Sequence, residues 1–186
     1  MNVTATVRAA TPSASHCTGM SRSVRSRWRP SCAALADAPN APLMDCAMEV
    51  REAVDGDLVN PGIVLIAPGN HHMVLRRSGA QYVVALHQGE RRHYQRPAVD
   101  ELFESVADYA GPNAVGVILT GMGADGAAGL LRMRQAGART VAQDEESSVV
   151  WGMPGEAVKL GAAEFVLPLD RIAGSVLHLL EPGARP

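Results

Sequence analysis

The sequence predicts an α/β fold in which a mainly parallel, doubly wound sheet carries helices on both faces and an antiparallel hairpin at its edge. Three observations predict it. Short β-branched runs alternate with amphipathic stretches of about ten residues, which is typical of βαβ units. Glycine or proline ends nearly every run. A chain of 186 residues, 47% of them hydrophobic, is also long and apolar enough for one domain with a real core.

The first predicted elements are a strand and a hairpin. Residues 63–67 (IVLIA) form a β-branched run closed by a Pro-Gly pair, which predicts a short buried strand. Residues 73–77 and 82–86 flank the turn sequence Ser-Gly-Ala, which predicts two antiparallel strands.

The next predicted element is a helix, and the part of the sequence after it has the most regular alternation of strand and helix patterns. Pro97 suits a first helical turn, and a Gly-Pro pair ends this helix. Its predicted buried face consists of Val99, Leu102, Phe103, Val106 and Ala107. Residues 114–119 then predict a strand, followed by a glycine-rich turn and a helix over about 126–136 that Gly137 ends.

The last part of the chain repeats the alternation. Residues 139–142 and 164–167 predict strands, with a short helix from Pro154 between them. Residues 170–180 predict a final amphipathic helix, capped by Asp170 or a neighbour. Because sites in such sheets form beyond the carboxyl ends of the strands, the glycine-rich turn over 121–126 is the place to look for one.

Residues 1–45 differ in composition from the rest. They contain five arginines, no lysine or glutamate, and aspartate only at Asp37 and Asp45. Their formal charge is therefore +3, which leaves −5 for the remainder of a chain whose total is −2. No apolar period runs through them, and they are rich in Ala, Ser, Thr and Pro. We expect a degenerate or disordered leader, although an organelle transit peptide has a similar composition.

The overall composition argues against several classes. A net charge of −2 gives no general case for binding nucleic acid. No apolar run reaches the roughly 18–20 residues of a membrane span, so we expect no membrane insertion. Cys17, Cys32 and Cys46 are scattered and odd in number, which is typical of reduced thiols in a cytoplasmic protein.

The turn over 121–126 (GMGADG) allows three interpretations. It satisfies G-x-G-x-x-G after a strand and before a helix, as in dinucleotide-binding folds, with Asp144 as a ribose-binding acid. Asp125 argues against dinucleotide binding, because its negative charge would lie where a phosphate should bind. It can instead cap the helix by accepting backbone N–H bonds from the first turn. Or it can orient a catalytic imidazole, with the Met122 N–H facing an oxyanion.

Residues from about 46 to 180 resemble the catalytic domain of bacterial chemotaxis protein-glutamate methylesterases. The resemblance covers roughly three quarters of the chain. It rests on these segments, in order: GIVLIAPGNHHM, RPAVDELFESVA, NAVGVILTGMGADGAAGLLRMRQAGA, AQDEESSVVWGMP and the final strand and helix.

The resemblance implies a serine-type hydrolase that cleaves glutamate methyl esters on methyl-accepting chemotaxis receptors, and often deamidates receptor glutamines. It implies Asp125 as the triad acid and Met122 as the backbone oxyanion donor, with no cofactor and no metal. In the family an N-terminal receiver domain controls the activity.

Two family motifs are missing. The nucleophile belongs to a G-A-S-T-G-G turn and the base to a Q-H-M-P segment, both upstream of Cys46, and neither occurs in residues 1–45. No nucleophilic serine or basic histidine is identified. We therefore expect the N-terminal strands of the sheet to be lost or degenerate, and residues 46–186 to form a partial methylesterase-type catalytic domain with impaired activity. The alternatives are a non-catalytic remnant that binds receptors and, third, an NAD-binding protein.

The other polar candidates have simpler interpretations. Ser13, Ser15 and His16 are too close in sequence to create triad geometry by themselves. We expect packing or loop roles for His71 and His72, and surface positions for His87 and His93. The Arg25–Arg29 cluster should be disordered, and the acidic residues 144–146 should form a solvated loop. Packing roles are expected for Met122, Met133 and Met153.

Overall fold

The chain forms three sheets and four α-helices in the residues described by this computed structural model, which are 4–7 and 48–180. In chain order the elements are β1 (Thr4–Val7), β2 (Glu49–Glu52), β3 (Ile63–Ile66), β4 (His72–Ser78), β5 (Gln81–His87), α1 (Val99–Tyr109), β6 (Ala114–Ile118), α2 (Ala127–Gln135), β7 (Arg139–Gln143), α3 (Met153–Lys159), β8 (Phe165–Leu167) and α4 (Leu169–Leu179). A 3₁₀ turn, Gly111–Asn113, separates α1 from β6.

The main sheet has the order β1-β6-β7-β8. Strands β6, β7 and β8 are parallel, with Val117 opposite Val141 and Ala142 opposite Val166. Strand β1 pairs antiparallel with β6. The prediction of a mainly parallel sheet is confirmed, and the carboxyl ends of β6 and β7 meet at one edge.

Helices cover both faces of this sheet, as predicted. Every residue of β6 is buried, because alternate side chains point to opposite faces. Val115 and Val117 pack on the side of α4, with Ile172 in the same cluster. Ile118 belongs to the larger cluster on the other face, where Phe103 of α1 lies with residues of α2 and α3. The strand is thus central to both cores.

The predicted hairpin is formed by β4 and β5, which pair from His72 opposite His87 to Ser78 opposite Gln81. It is a separate two-stranded sheet rather than a continuation of the main one. It packs against α1, where the Leu75 N–H donates to the Ser105 hydroxyl at 2.8 Å and Tyr82 joins the core cluster of Phe103.

Strand β3 departs from the prediction. It was expected to be buried, yet Ile66 is 45% exposed, and among the residues described β3 pairs only with β2. Strand β2 was not predicted, since its sequence EVRE has neither an apolar run nor a clean alternation.

The cap predicted for the last helix is also wrong. Helix α4 follows Pro168, and Asp170 does not cap it; the first N–H of the helix, that of Leu169, donates instead to the Ser147 hydroxyl at 3.0 Å. None of the helices in residues 48–180 is long and apolar enough to cross a membrane. Of the expected leader, residues 4–7 form β1, and residues 8–45 lie outside the described part of the chain.

Candidate active site

The glycine-rich turn over 121–126 follows β6 and is fixed to the loop after β7. The Gly121 N–H donates to the Val150 carbonyl at 3.0 Å, and the Gly121 carbonyl accepts from the Met153 N–H at 2.8 Å. The Thr120 N–H donates to the buried Gln143 side chain at 2.9 Å. These bonds between neighbouring strand ends make the turn a rigid mount for the residues it carries.

Asp125 is 1% exposed and binds the first turn of α1. Its Oδ2 accepts the Val99 N–H at 2.9 Å, and its Oδ1 accepts the Asp100 N–H at 3.1 Å. The capping interpretation expected these bonds from the helix that follows Asp125. The structure corrects that expectation, because the helix that Asp125 caps is α1, and the first turn of α2 receives no hydrogen bond from Asp125. The positive end of the α1 dipole stabilises this buried carboxylate.

A second buried aspartate makes the reciprocal hydrogen bond between the two segments. Asp100, on α1, is also 1% exposed, and its Oδ1 accepts the Gly129 N–H of α2 at 2.7 Å. A Cβ on Gly129 would lie 2.7 Å from Cβ of Phe103, so glycine permits this close approach of the helices. Each aspartate therefore binds backbone N–H groups of the other segment. We call Asp100, Asp125, Gly129 and His93 the helix junction.

His93 completes the junction. Its Nε2 lies 2.9 Å from Oδ2 of Asp100, and its side chain is 42% exposed. The expected surface position is confirmed only in part, since one edge of the ring is held by a buried carboxylate. No motif in the sequence connects His93 to Asp125. The missed signal is Asp100, an acid in the first turn of a helix, where carboxylates are favoured and available for further partners.

Ligand atoms of His93, Asp100 and Asp125 all lie within 4.8 Å of one another, a spacing that can hold a metal ion. The donor set fits a cation poorly. Both oxygens of Asp125 accept backbone N–H bonds, and those of Asp100 accept a backbone N–H and the imidazole. A metal would have to replace the His93–Asp100 hydrogen bond.

Met122 is the residue after Gly121 in the turn. Its side chain is 76% exposed, so the expected packing role is wrong for Met122, whereas Met133 and Met153 are buried as expected. The Met122 N–H donates no hydrogen bond to any other residue among those described. A free N–H on a rigid turn can stabilise developing negative charge on an oxygen.

Acidic side chains on the outer surface of α1 form ion pairs with an arginine. Arg92 makes two hydrogen bonds of 2.9 Å with the Glu104 carboxylate and one of 3.4 Å with Glu101. The hydrogen bond from Arg92 holds the pKa of Glu104 below its usual value, and the same bond raises the pKa of Arg92. These charges fix the segment before α1, which carries His93.

The remaining histidines lie in other settings. His72 is fully buried, accepts the Ala98 N–H on Nδ1 at 3.3 Å and contacts the Glu90 carbonyl through Nε2 at 2.9 Å, which confirms a packing role. His71 lies in a loop, with Nδ1 3.2 Å from the Gly69 carbonyl. Ser13, Ser15, His16 and the Arg25–Arg29 cluster lie outside the described residues.

The geometry disfavours the dinucleotide interpretation. A phosphate would need the N–H groups of the first turn of α2, and the Gly129 N–H is already bound to Asp100 in a buried position. The acid assigned to ribose, Asp144, instead accepts the Ser147 N–H and hydroxyl within its own loop, at 3.0 and 2.6 Å.

Comparison with known proteins decides the family. The model of the CheB methylesterase family matches residues 40–176. The chain belongs to the CheB methylesterase family. It is 60% identical over 135 residues to a protein-glutamate methylesterase/protein-glutamine glutaminase of Syntrophus aciditrophicus, which covers 73% of this chain and 39% of that protein. With a protein of the same name from Bdellovibrio bacteriovorus the identity is 65% over 133 residues, covering 72% and 38%.

The fold agrees with this CheB membership. The catalytic domain of the Thermotoga maritima CheB methylesterase superposes with a TM-score of 0.68 at 36% identity, covering 69% of this chain and 68% of that one. The chain spans about two fifths of the length of the curated relatives named above. Within residues 48–180, no serine hydroxyl is hydrogen-bonded to Asp125 or His93.

Proposed function

We propose that residues 46–186 are part of a catalytic domain that hydrolyses γ-methyl esters of protein glutamates on methyl-accepting chemotaxis receptors. Deamidation of glutamine is the related reaction, since it differs only in expelling ammonia instead of methanol. The relatives named above carry both activities in their names, which supports the proposal. We also propose that this chain acts far more slowly than a relative with a complete triad.

One observation carries the proposal. Asp125 is a buried carboxylate at the carboxyl end of the central strand, and within residues 48–180 its hydrogen-bond partners are backbone N–H groups alone. An arginine partner would neutralise the charge that a triad acid uses to orient an imidazole and stabilise the imidazolium. In our proposal Asp125 has this role, and the unpaired Met122 N–H receives the oxyanion of the tetrahedral intermediate.

Slow turnover follows from the missing partners. Triad members act as a unit, so the loss of the nucleophile and base costs about as much as the loss of all three. The rate that remains comes from the oxyanion donor and from substrate binding, which in serine hydrolases still gives roughly 10³–10⁴ over water.

The test is methanol release from a methylated chemoreceptor, with the intact Bdellovibrio relative as the reference. We expect the full chain to release methanol at least ~10³-fold more slowly than the reference. Equal rates would contradict the proposed impairment.

Met122 offers a matched pair of variants for the oxyanion role. Met122→Pro removes the N–H, and we expect a further loss of about 10²-fold in methanol release. Met122→Ala keeps the N–H and changes only an exposed side chain, so its rate should equal that of the unaltered chain. Equal rates in the two variants would remove Met122 from the site.

The second candidate is a receptor-binding remnant without catalysis. It is favoured because, among residues 48–180, no histidine is hydrogen-bonded to Asp125 as a triad requires. Co-sedimentation with receptor-containing membranes separates the two, because binding without any methanol release would support the remnant. Saturable NAD binding that is lost in Gly123→Val would instead revive the third interpretation.

A further inference from the structure

His93 lies in a turn whose backbone conformation suits its side chain poorly. Arg92 and Gln95 exchange two backbone hydrogen bonds, of 3.2 and 2.8 Å, and enclose His93 and Tyr94. Both enclosed residues have positive φ, 49° and 61°, the pattern of a type I′ turn, which favours Asn and Gly. Such strain persists only where the surroundings hold it, and it concentrates at functional sites.

The surroundings that hold His93 are the helix junction. Its Nε2 bonds to Oδ2 of Asp100, and Asp100 is fixed through its other oxygen by Gly129 and through its own N–H by Asp125. An ionised carboxylate only accepts hydrogen bonds, so the neutral ring carries its proton on Nε2. The lone pair is therefore on Nδ1. Nδ1 has no hydrogen-bond partner in residues 48–180, and the ring is 42% exposed.

Two buried carboxylates lie next to His93. The carboxylates of Asp100, on α1, and of Asp125, on the turn after β6, lie in the same cluster within 4.8 Å. The cation next to it in sequence, Arg92, is paired with Glu104 and Glu101. An imidazolium formed at His93 thus meets two buried negative charges, the arrangement that steadies a general base.

We propose that His93 is a general base, positioned by Asp100, that activates water for hydrolysis of carboxylic esters at this site. The inference rests on the proposed function, since it names a proton acceptor for that reaction. Nδ1 takes a proton from water as the water oxygen attacks the ester carbonyl carbon, and the C=O electron pair moves onto oxygen. When the tetrahedral intermediate collapses, the C–O bond to the alcohol breaks and the alkoxide recovers the proton from Nδ1. The products are one carboxylic acid and one alcohol.

The experiment follows p-nitrophenolate release from p-nitrophenyl acetate by the full chain, as a function of pH. We expect the rate to rise with pH, because a general base acts only in its unprotonated form. In His93→Gln, whose amide can still donate to Asp100, the rate should fall at least tenfold and the pH dependence should disappear. An unchanged rate or an unchanged profile would overturn the proposal.

His87 gives the matched control. Its side chain is 40% exposed and its Nε2 lies 3.8 Å from a carboxylate oxygen of Glu101, too far for a hydrogen bond. His87→Gln should therefore leave the rate and the profile as they are. A loss equal to that of His93→Gln would indicate unspecific catalysis by exposed imidazoles and would overturn the assignment to His93.

Asp100→Asn tests the positioning role. The amide oxygen can still accept the Gly129 N–H, but the amide nitrogen donates to Nε2 and forces the ring proton onto Nδ1. We expect the rate to fall as in His93→Gln, together with a reversed tautomer in the ¹⁵N spectrum of the ring. A reversed tautomer with full activity would overturn the role of Nδ1. Loss of the rate on EDTA treatment, restored by zinc, would also overturn the proposal by assigning the cluster to a metal.

Failure of this inference can be told apart from failure of the proposed function. Methanol release from receptor that is unaffected in His93→Gln would keep the methylesterase proposal and remove His93. Release of p-nitrophenolate that depends on His93, without any receptor turnover, would keep His93 and remove the receptor substrate.

Discussion

Asp125 in the helix junction and Asp57 in the segment around β2 and β3 are held in opposite ways. Among the residues described, Asp125, which is 1% exposed, accepts only backbone N–H groups, from residues 25 and 26 positions away. In the other segment, Asp57 has a side chain 17% exposed and binds the guanidinium of Arg51, six residues away, and the Val54 N–H. The pKa of Asp57 is lowered mainly by its hydrogen bond with Arg51.

Asp57 therefore has a local role and Asp125 a tertiary one. Asp57 closes a loop within its own segment, and water can replace its partners because the site is open. Asp125 joins a turn after β6 to the start of α1, and loss of its carboxylate leaves buried donors without acceptors. Loss of the Asp125 carboxylate should therefore cost the domain more stability than loss of the Asp57 carboxylate.

The largest expected effect comes from Asp125→Ala. At about 1–3 kcal/mol for each of the two buried N–H groups left without an acceptor, the unfolding free energy should fall by about 2–6 kcal/mol. Urea unfolding followed by circular dichroism measures it. Asp57→Ala is the control from the other region, and its shift should be clearly smaller. Equal shifts for the two variants would remove the contrast between the regions.

Two glycines with nearly the same φ allow the packing of the two regions to be compared. Gly126 and Gly62 have φ of +86° and +84°, so alanine costs about 1–2 kcal/mol at either position. A Cβ at Gly126 would also lie 2.5 Å from Cγ1 of Val99, whereas nothing lies within 4 Å of one at Gly62. We expect Gly126→Ala to be more destabilising than Gly62→Ala by about 1–3 kcal/mol, measured in the same urea titration. A smaller effect at Gly126 would mean that α1 moves aside at little cost.

The smallest effect concerns the ion pair on the outer surface of α1. Because Arg92 lowers the pKa of Glu104 in the folded state, the pair stabilises the fold above the unfolded glutamate pKa of about 4.3 and loses this contribution as pH falls through the folded pKa. With side chains 33% and 30% exposed, the contribution should be about 1 kcal/mol or less. The melting temperatures of the wild type and Glu104→Gln should differ at pH 7 and converge near pH 3. A constant difference would show that the carboxylate charge has no part in it.

The elements with strong local patterns were predicted well. Strand β6 and helix α2 follow from a buried apolar run, a glycine turn and the helix stop at Gly137, and the structure has them within a residue or two. Strand β2 was missed because EVRE has no apolar periodicity, and the strand is recognised only from its hydrogen-bonded pairing with β3 in the structure. The burial expected for β3 failed for the same reason, since a run of β-branched residues does not reveal how many neighbours the strand will have.

The candidate site was also predicted only in part. The motif over 121–126 singled out Asp125 and Met122, and the comparisons confirm the family that this motif indicated. The partners of Asp125 were not predictable, because they are backbone groups of a helix that begins 26 residues earlier. His93 was assigned to the surface, since an exposed histidine in a polar segment gives no sign of the buried acid it contacts.

By itself the sequence determined the order of the elements from β3 to α4 and the turn that carries Asp125, because these depend on local propensity and on apolar spacing along the chain. Its resemblance to known segments indicated the family. The tertiary structure alone decided that Asp125 and Asp100 cap across α1 and α2, and that His93 joins them. Hydrogen bonds between residues far apart in sequence form only after the helices have packed, and buried carboxylates must then accept whichever donors the packing brings to them.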